Sequence, residues 1–105
     1  MEHKYLYKLL KKAGIPVAYD HFEDDEKNLE PPFMAYREKS PDNFRADNKV
    51  YSAFFHYEIE LVTTKKDVDL ENKISNLLTE NEIPYEKLDE VWDSEEKIYH
   101  IFYEI

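Results

Sequence analysis

The sequence predicts an α+β fold: a mixed or antiparallel sheet of four to five strands with two helices packed on one face, in the order α-β-β-β-α-β-β. Three features point there. Apolar residues recur at helical spacing in two places, Leu6, Leu9, Leu10 and Ala13, and then Leu70, Ile74, Leu77 and Leu78. Phe55, Tyr57, Ile59 and Leu61 alternate with His56, Glu58 and Glu60, as in a strand with one face buried and the other wet. Short connections between the strand-like runs favour antiparallel neighbours over a doubly wound sheet.

Each element has local reasons. In the first helix the lysines lie on the polar face and towards the C-terminal end, where they suit the helix dipole. Gly14 fits a left-handed C-cap, and Pro16 blocks continuation. Val17 to Phe22 reads as a strand running into an acidic loop closed by Pro31-Pro32. Phe33 to Lys39 is a second, short strand. Pro41 to Lys49 is polar, with Phe44 as its one aromatic, and reads as a long exposed loop over about residues 40–49. Val50 to Thr63 is the strongest strand signal. Asp67 or Asp69 caps the second helix, with Glu71 and Lys73 on its outer side and Asn81 at its end. Ile83-Pro84-Tyr85 opens an extended segment towards Leu88, Val91-Trp92 sits near a turn at Asp93-Ser94, and Ile98 to Ile105 is strand again. Tyr99, Ile101, Tyr103 and Ile105 share one face of that last strand.

The 105 residues are one domain's worth of chain, 1–105, and 42% hydrophobic with 15% aromatic residues is enough for one packed core. Fourteen Lys and Arg against 24 Asp and Glu give a formal charge of −10, which opposes nucleic-acid binding, since phosphate neutralisation needs surplus cations. With zero Cys there is no disulfide, thiol nucleophile or thiolate metal site. No apolar run approaches the roughly 20 residues that span a bilayer, and Met1-Glu2-His3-Lys4 lacks a signal peptide's apolar core. An intracellular, acidic single domain is expected.

Candidate chemistry is thin. His56, Glu58 and Glu60 share a strand face and are ligand types for Zn or Mn, but a rise of roughly 6.8 Å per two residues spreads them too far for one ion. A solvated sheet face or a subunit contact is the better reading. Asp20, Glu23, Asp24, Asp25 and Glu26 offer oxygen ligands for Ca²⁺, yet lack the alternating spacing and glycine of an EF-hand loop; they read as a charged loop. There is no Gly-rich phosphate loop, no Gly-x-Ser-x-Gly elbow and no His-Glu-x-x-His. His3, His21, His56 and His100 occur singly. No catalytic residue, metal or cofactor is expected, and the chain does not read as an enzyme. Phe54, Phe55, Tyr57, Tyr99, Phe102 and Tyr103 lie on strands without the basic groove of a base-stacking platform. Most are core, while Phe54 and Phe102, on the opposite strand faces, mark a protein interface.

One resemblance covers nearly the whole chain in order. It is carried by Leu9-Leu10 through Gly14-Ile15-Pro16-Val17-Ala18-Tyr19, by Pro31-Pro32-Phe33, and by Ala46-Asp47-Asn48-Lys49-Val50-Tyr51. Ile59-Glu60-Leu61-Val62-Thr63 before Lys66-Asp67, Leu77-Leu78 with Ile83-Pro84-Tyr85, and the closing Tyr103-Glu104-Ile105 complete it. In these stretches the chain resembles the tail-terminator, or tail-completion and tail-to-head joining, proteins of long-tailed phages and prophages in Gram-positive bacteria. The resemblance implies a structural virion protein that caps the head-proximal end of the tail tube as a ring, usually of six. Its partners are then other copies of itself, the tail tube protein and the head connector protein, and its places are the host cytoplasm during assembly and the virion tail. The ring of six is expected on assembly, and the reading leaves open whether the free protein is a monomer.

Under that reading Phe44, Arg45, Asp47, Asn48 and Lys49 form an assembly interface, in a loop long enough to reach a neighbour or line the lumen. The plain alternative for Ala46-Asp47-Asn48 is a turn before a strand. The basic first helix and the acidic C-terminal quarter offer complementary patches for a ring contact. Two other functions compete. One is an acidic DNA-mimic or antitoxin-like inhibitor, favoured by the net charge and disfavoured by the scattered lysines. The other is a head-completion or connector protein from the same phage region.

Overall fold

Leu6, Leu9 and Leu10 recur at i, i+3 and i+4, and all three are buried on the inner stripe of α1 (His3–Lys11). The structure is a computed structural model and describes residues 3–20, 30–38 and 57–105. Gly14 ends the first helical segment at φ 84°, the left-handed conformation that spares glycine a Cβ clash, and its N–H reaches the Lys11 carbonyl at 3.1 Å. The chain then enters β1 (Val17–Tyr19), and further on β2 (Phe33–Glu38) and β3 (Tyr57–Thr63). α2 (Val68–Glu80) leads to a hairpin of β4 (Glu86–Asp93) and β5 (Ile98–Glu104).

The five strands form one mixed sheet in the order β1-β2-β3-β5-β4. β1 runs parallel to β2, and the other three pairings are antiparallel. Register places the core. Met34 faces Leu61 and Tyr36 faces Ile59 across β2 and β3, while Leu61 faces Ile101 and Ile59 faces Tyr103 across β3 and β5. These side chains are buried together with Leu6 and Leu10 of α1 and Ile74 and Leu78 of α2. Both helices therefore cover one face, and the predicted α+β order stands.

α2 is well capped. The Asp67 carboxylate accepts the Leu70 N–H at 3.1 Å, satisfying one of the helix's orphan donors. At the other end Asn81 donates its amide to the Leu77 carbonyl at 2.8 Å. The Glu82 N–H reaches Thr79 and the Ile83 N–H reaches Leu78, a Schellman pair with Glu82 at φ 56° in the position glycine usually takes.

Three expectations need correction. The first strand does not reach Phe22: it ends at Tyr19 because Asp20 takes φ 71°, outside the extended region. The second strand is described as far as Glu38, and Lys39 lies outside the described residues. Val91 and Trp92 belong to β4 and stand beside the turn as expected, but Asp93 is still strand and the turn occupies residues 94–97 under its carboxylate. That carboxylate accepts the N–H groups of Glu95 and Glu96 at 3.0 and 3.1 Å. Glu71, expected on the outer side of α2, is 5% exposed. Glu71, Ile74 and Leu78 stand at i, i+3 and i+7, so position 71 belongs to the buried stripe. Of the longest predicted strand, residues 50–56 lie outside the described residues, as does the loop at 40–49.

A Cβ built on Gly14 meets only the Lys73 Nζ, at 3.9 Å, so substitution there is a backbone matter alone. Gly14→Ala is expected to cost about 1 kcal/mol from the left-handed φ, and Leu78→Ala, which opens a core cavity, about 3 kcal/mol. Urea unfolding of the two variants beside the parent checks both the values and their order.

Candidate functional site

The sheet face away from the helices gathers charge from three strands. Register sets Arg37 opposite Glu58, Glu60 opposite Phe102, and Val62 opposite His100, so Glu60 lies diagonal to both Arg37 and His100. The Arg37 guanidinium donates to the Glu58 carboxylate at 2.9 Å and to Glu60 Oε1 at 3.2 Å. It also donates to the Asp20 carbonyl at 3.3 Å, tying the end of β1 to β2. The other Glu60 oxygen, Oε2, lies 2.6 Å from His100 Nδ1. These groups are partly exposed, so the array orders side chains more than it stabilises the fold.

Beside it, Glu60, Val91, Trp92, Ser94, His100 and Phe102 help line an open groove of about 600 Å³. Ser94, His100 and Glu60 are the residue types of an acyl-transfer triad. Among the described residues, however, His100 Nδ1 is engaged on Glu60 and no hydrogen bond joins Ser94 to the ring. The carboxylates likewise act as acceptors for Arg37 and His100, and no group of three or more metal-ligating side chains occurs among the described residues. No described helix is long and apolar enough to cross a membrane.

A second cluster lies at the N-terminal end of α2. Glu71 is held by Lys66, whose Nζ is 3.0 Å from Oε2, and by Lys87 of β4 on Oε1. Lys66 also contacts Glu90. Burial by itself raises the Glu71 pKa, but the hydrogen bonds from Lys87 and Lys66 outweigh it and hold the carboxyl below its ordinary range. The Glu90 and Glu71 carboxylates in turn raise the Lys66 pKa, Glu90 contributing most. Burial is the main cause that raises the Tyr103 hydroxyl, which packs beneath this cluster.

The third feature is at the first edge of the sheet. Lys4, Tyr7 and Lys8 of α1, Tyr19 of β1 and Tyr36 of β2 line an open notch of about 410 Å³. Tyr19 meets Tyr36 edge-on at 5.2 Å between ring centroids, and Lys11 sits over the Tyr7 ring. Burial pushes the Tyr36 hydroxyl up to about 12, with smaller contributions from Tyr19, Tyr57 and Tyr7.

The sequence-predicted interface residues Phe44, Arg45, Asp47, Asn48 and Lys49 lie outside the described residues, as do His56 and Phe54. Of the His56, Glu58 and Glu60 trio that was set aside as a metal site, Glu58 and Glu60 are on the helix-free face and paired with Arg37 and His100. Phe102 is half-buried on that same face. Arg37, His100 and the buried Glu71 were missed. Helical spacing was the available signal for Glu71, and the alternation of Met34 and Tyr36 with Arg37 was the signal for the open face.

No protein-family model, curated protein or solved structure matches the chain.

The Glu71 cluster predicts a pH dependence of stability. The unfolded carboxyl takes up its proton at the ordinary Glu value, about 4.3, and the folded one only at lower pH. Between those two points the unfolded state binds more protons, so stability rises with pH. The contribution is complete above the unfolded value and lost as pH falls through the folded one. Glu71→Gln is expected to cost about 2 kcal/mol near neutrality and to flatten this acid limb, measured by urea unfolding across the acid range.

Proposed function

We propose that the chain is a structural assembly protein of a long-tailed phage or prophage, a tail terminator that caps the head-proximal end of the tail tube as a ring and joins tail to head. The carrying observation is the ordered resemblance from Leu9-Leu10 to Tyr103-Glu104-Ile105, which runs through nearly all the chain rather than resting on one motif. The character of the surface supports it. Arg37, Glu58, Glu60 and His100 hold one another across three strands, an arrangement suited to an ordered contact surface. Exposed aromatic and aliphatic side chains stand at both sheet edges: Tyr7 and Tyr19 at one, Leu88, Val91 and Trp92 at the other. Such side chains are enriched where protein surfaces meet.

In this role each subunit contacts a second copy of itself, the tail tube protein and the head connector. A heterologous contact, in which one patch meets a different patch on the next copy, closes a ring. The acidic charge suits a lumen through which DNA passes, because like charge keeps the phosphates from sticking. Residues 40–49 are the stretch assigned to the neighbour or the lumen.

Electron microscopy of induced lysates from the source prophage, with this one gene deleted, tests the reading. Filled heads beside detached tails, many of them overlong, are expected. Normal tailed particles overturn it and favour the acidic-inhibitor function. Normal tails with heads that fail to retain DNA favour the head-completion role.

A further inference from the structure

The two edges of the sheet carry opposite charge. β1 forms one edge and β4 the other among the described residues. From residue 3 to Tyr19 the chain contains Lys4, Lys8, Lys11 and Lys12 and no acid. Residues 86–97, covering β4 and its turn, contain Glu86, Asp89, Glu90, Asp93, Glu95 and Glu96 against Lys87 and Lys97. Internal ion pairs consume Lys87 and Glu90. Among the described residues no carboxylate pairs with Lys4, Lys8 or Lys12, and no cation pairs with Glu86, Asp89, Glu95 or Glu96.

These unpaired charges are out of reach of one another within a subunit. Four inter-strand spacings separate β1 from β4, about 19 Å, against a screening length of about 8 Å at physiological salt. Shape agrees with charge. At the acidic edge Trp92 is 45% exposed, propped on Tyr99 at 4.6 Å between rings. At the basic edge is the notch of Lys4, Tyr7, Lys8 and Tyr19. Register puts both features on the helix-bearing side, since Trp92 pairs with Tyr99 and Tyr19 with Tyr36. One subunit therefore meets the next without turning over. A two-fold contact at either edge sets like charge against like.

We infer that Trp92 and the acids beside it dock into the Lys4-Tyr7-Lys8-Tyr19 notch of a second copy of this chain, head to tail. The inference deepens the ring assembly proposed above and rests on it for closure, while the pairwise contact stands on the edge charges alone.

The test uses two double variants of the full chain, Lys4→Glu with Lys8→Glu, and Asp89→Lys with Glu95→Lys. All four positions are exposed, so both variants are expected to keep the parent's circular dichroism and melting profile. At millimolar concentration and low salt, sedimentation velocity is expected to show the parent self-associating. Emission of Trp92, the chain's one tryptophan, shifts to the blue as it does so, and high salt reverses both changes. Each variant alone loses the association. An equimolar mixture regains it, because the reversed side chains at positions 4 and 8 of one variant then face the reversed side chains at positions 89 and 95 of the other, and the unaltered edges still face each other with opposite sign. Zero-length carbodiimide cross-linking of mixed-isotope parent protein links Lys4 or Lys8 to Asp89, Glu95 or Glu96 between subunits.

A parent that stays monomeric under these conditions, folded variants that associate like it, or a mixture that stays monomeric each overturns the contact. If the gene deletion still produces overlong, detached tails, the terminator reading survives that failure. If the charge swap behaves as expected but the deletion leaves tails normal, the contact stands and the terminator reading falls.

Discussion

Tyr36, Ile59, Leu61, Ile101 and Tyr103 stand on one face of three adjacent strands, and among the described residues two short helices cover them. That one-sided burial governs the rest of the molecule. A fully buried aliphatic or aromatic side chain is worth about 1.5–3 kcal/mol, so the layer between helices and sheet is the main source of stability in a domain this small. Every strand residue not pointing into it points to the side away from the helices. There Arg37, Glu58, Glu60 and His100 alternate with Tyr36, Ile59, Tyr57, Ile101 and Tyr103. The charged grid is the other half of the pattern that makes the core.

The same layer explains why a buried carboxylate is tolerated in α2. Glu71 occupies a core-facing position, where an unpaired charge is strongly destabilising. It is retained because Lys66 arrives from the β3–α2 turn and Lys87 from β4, both extending ammonium groups from partly exposed stems. The result is a tie between three elements. β4 is otherwise held by its ladder to β5 and exposes nearly its whole length. The Glu71 cluster fixes that edge strand to the start of α2, a helix end already set by Asp67.

Where sequence and structure agree, the determinants are local. Gly14 with Pro16, Asp67 before Leu70, and Asn81 after Leu78 are stop and start signals read directly from residue chemistry. The alternation of Tyr57, Ile59 and Leu61 fixed both the strand and its buried face. What stayed hidden depends on partners distant in sequence. Glu71 looked external because it is charged, and only the convergence of Lys66 and Lys87 makes its buried stripe position tenable. His100 and Glu60 are 40 residues apart, and nothing in either neighbourhood announces their contact. Val91 and Trp92 carry no strong strand pattern of their own, because an edge strand exposed on both sides has no buried face to impose alternation. The interface assigned to Phe44, Arg45, Asp47, Asn48 and Lys49 rests on the sequence resemblance alone.

Edge charge and edge shape have different jobs in the docking inferred here. An exposed ion pair is worth about 0–1 kcal/mol and weakens with salt, so lysines meeting acids cannot by themselves hold a ring together. They set direction: unlike edges attract, like edges repel, and head-to-tail order is selected over two-fold pairing. Affinity then has to come from apolar burial near the centre of the contact, where Trp92 is the anchor and the tyrosine-lined notch its seat. With only one such anchor per contact, a pair of subunits associates weakly and a closed ring, in which every copy is held on both sides, associates far more firmly. Under the proposed terminator role, weak pairs and a firm ring suit an assembly that closes only where a template gathers several copies.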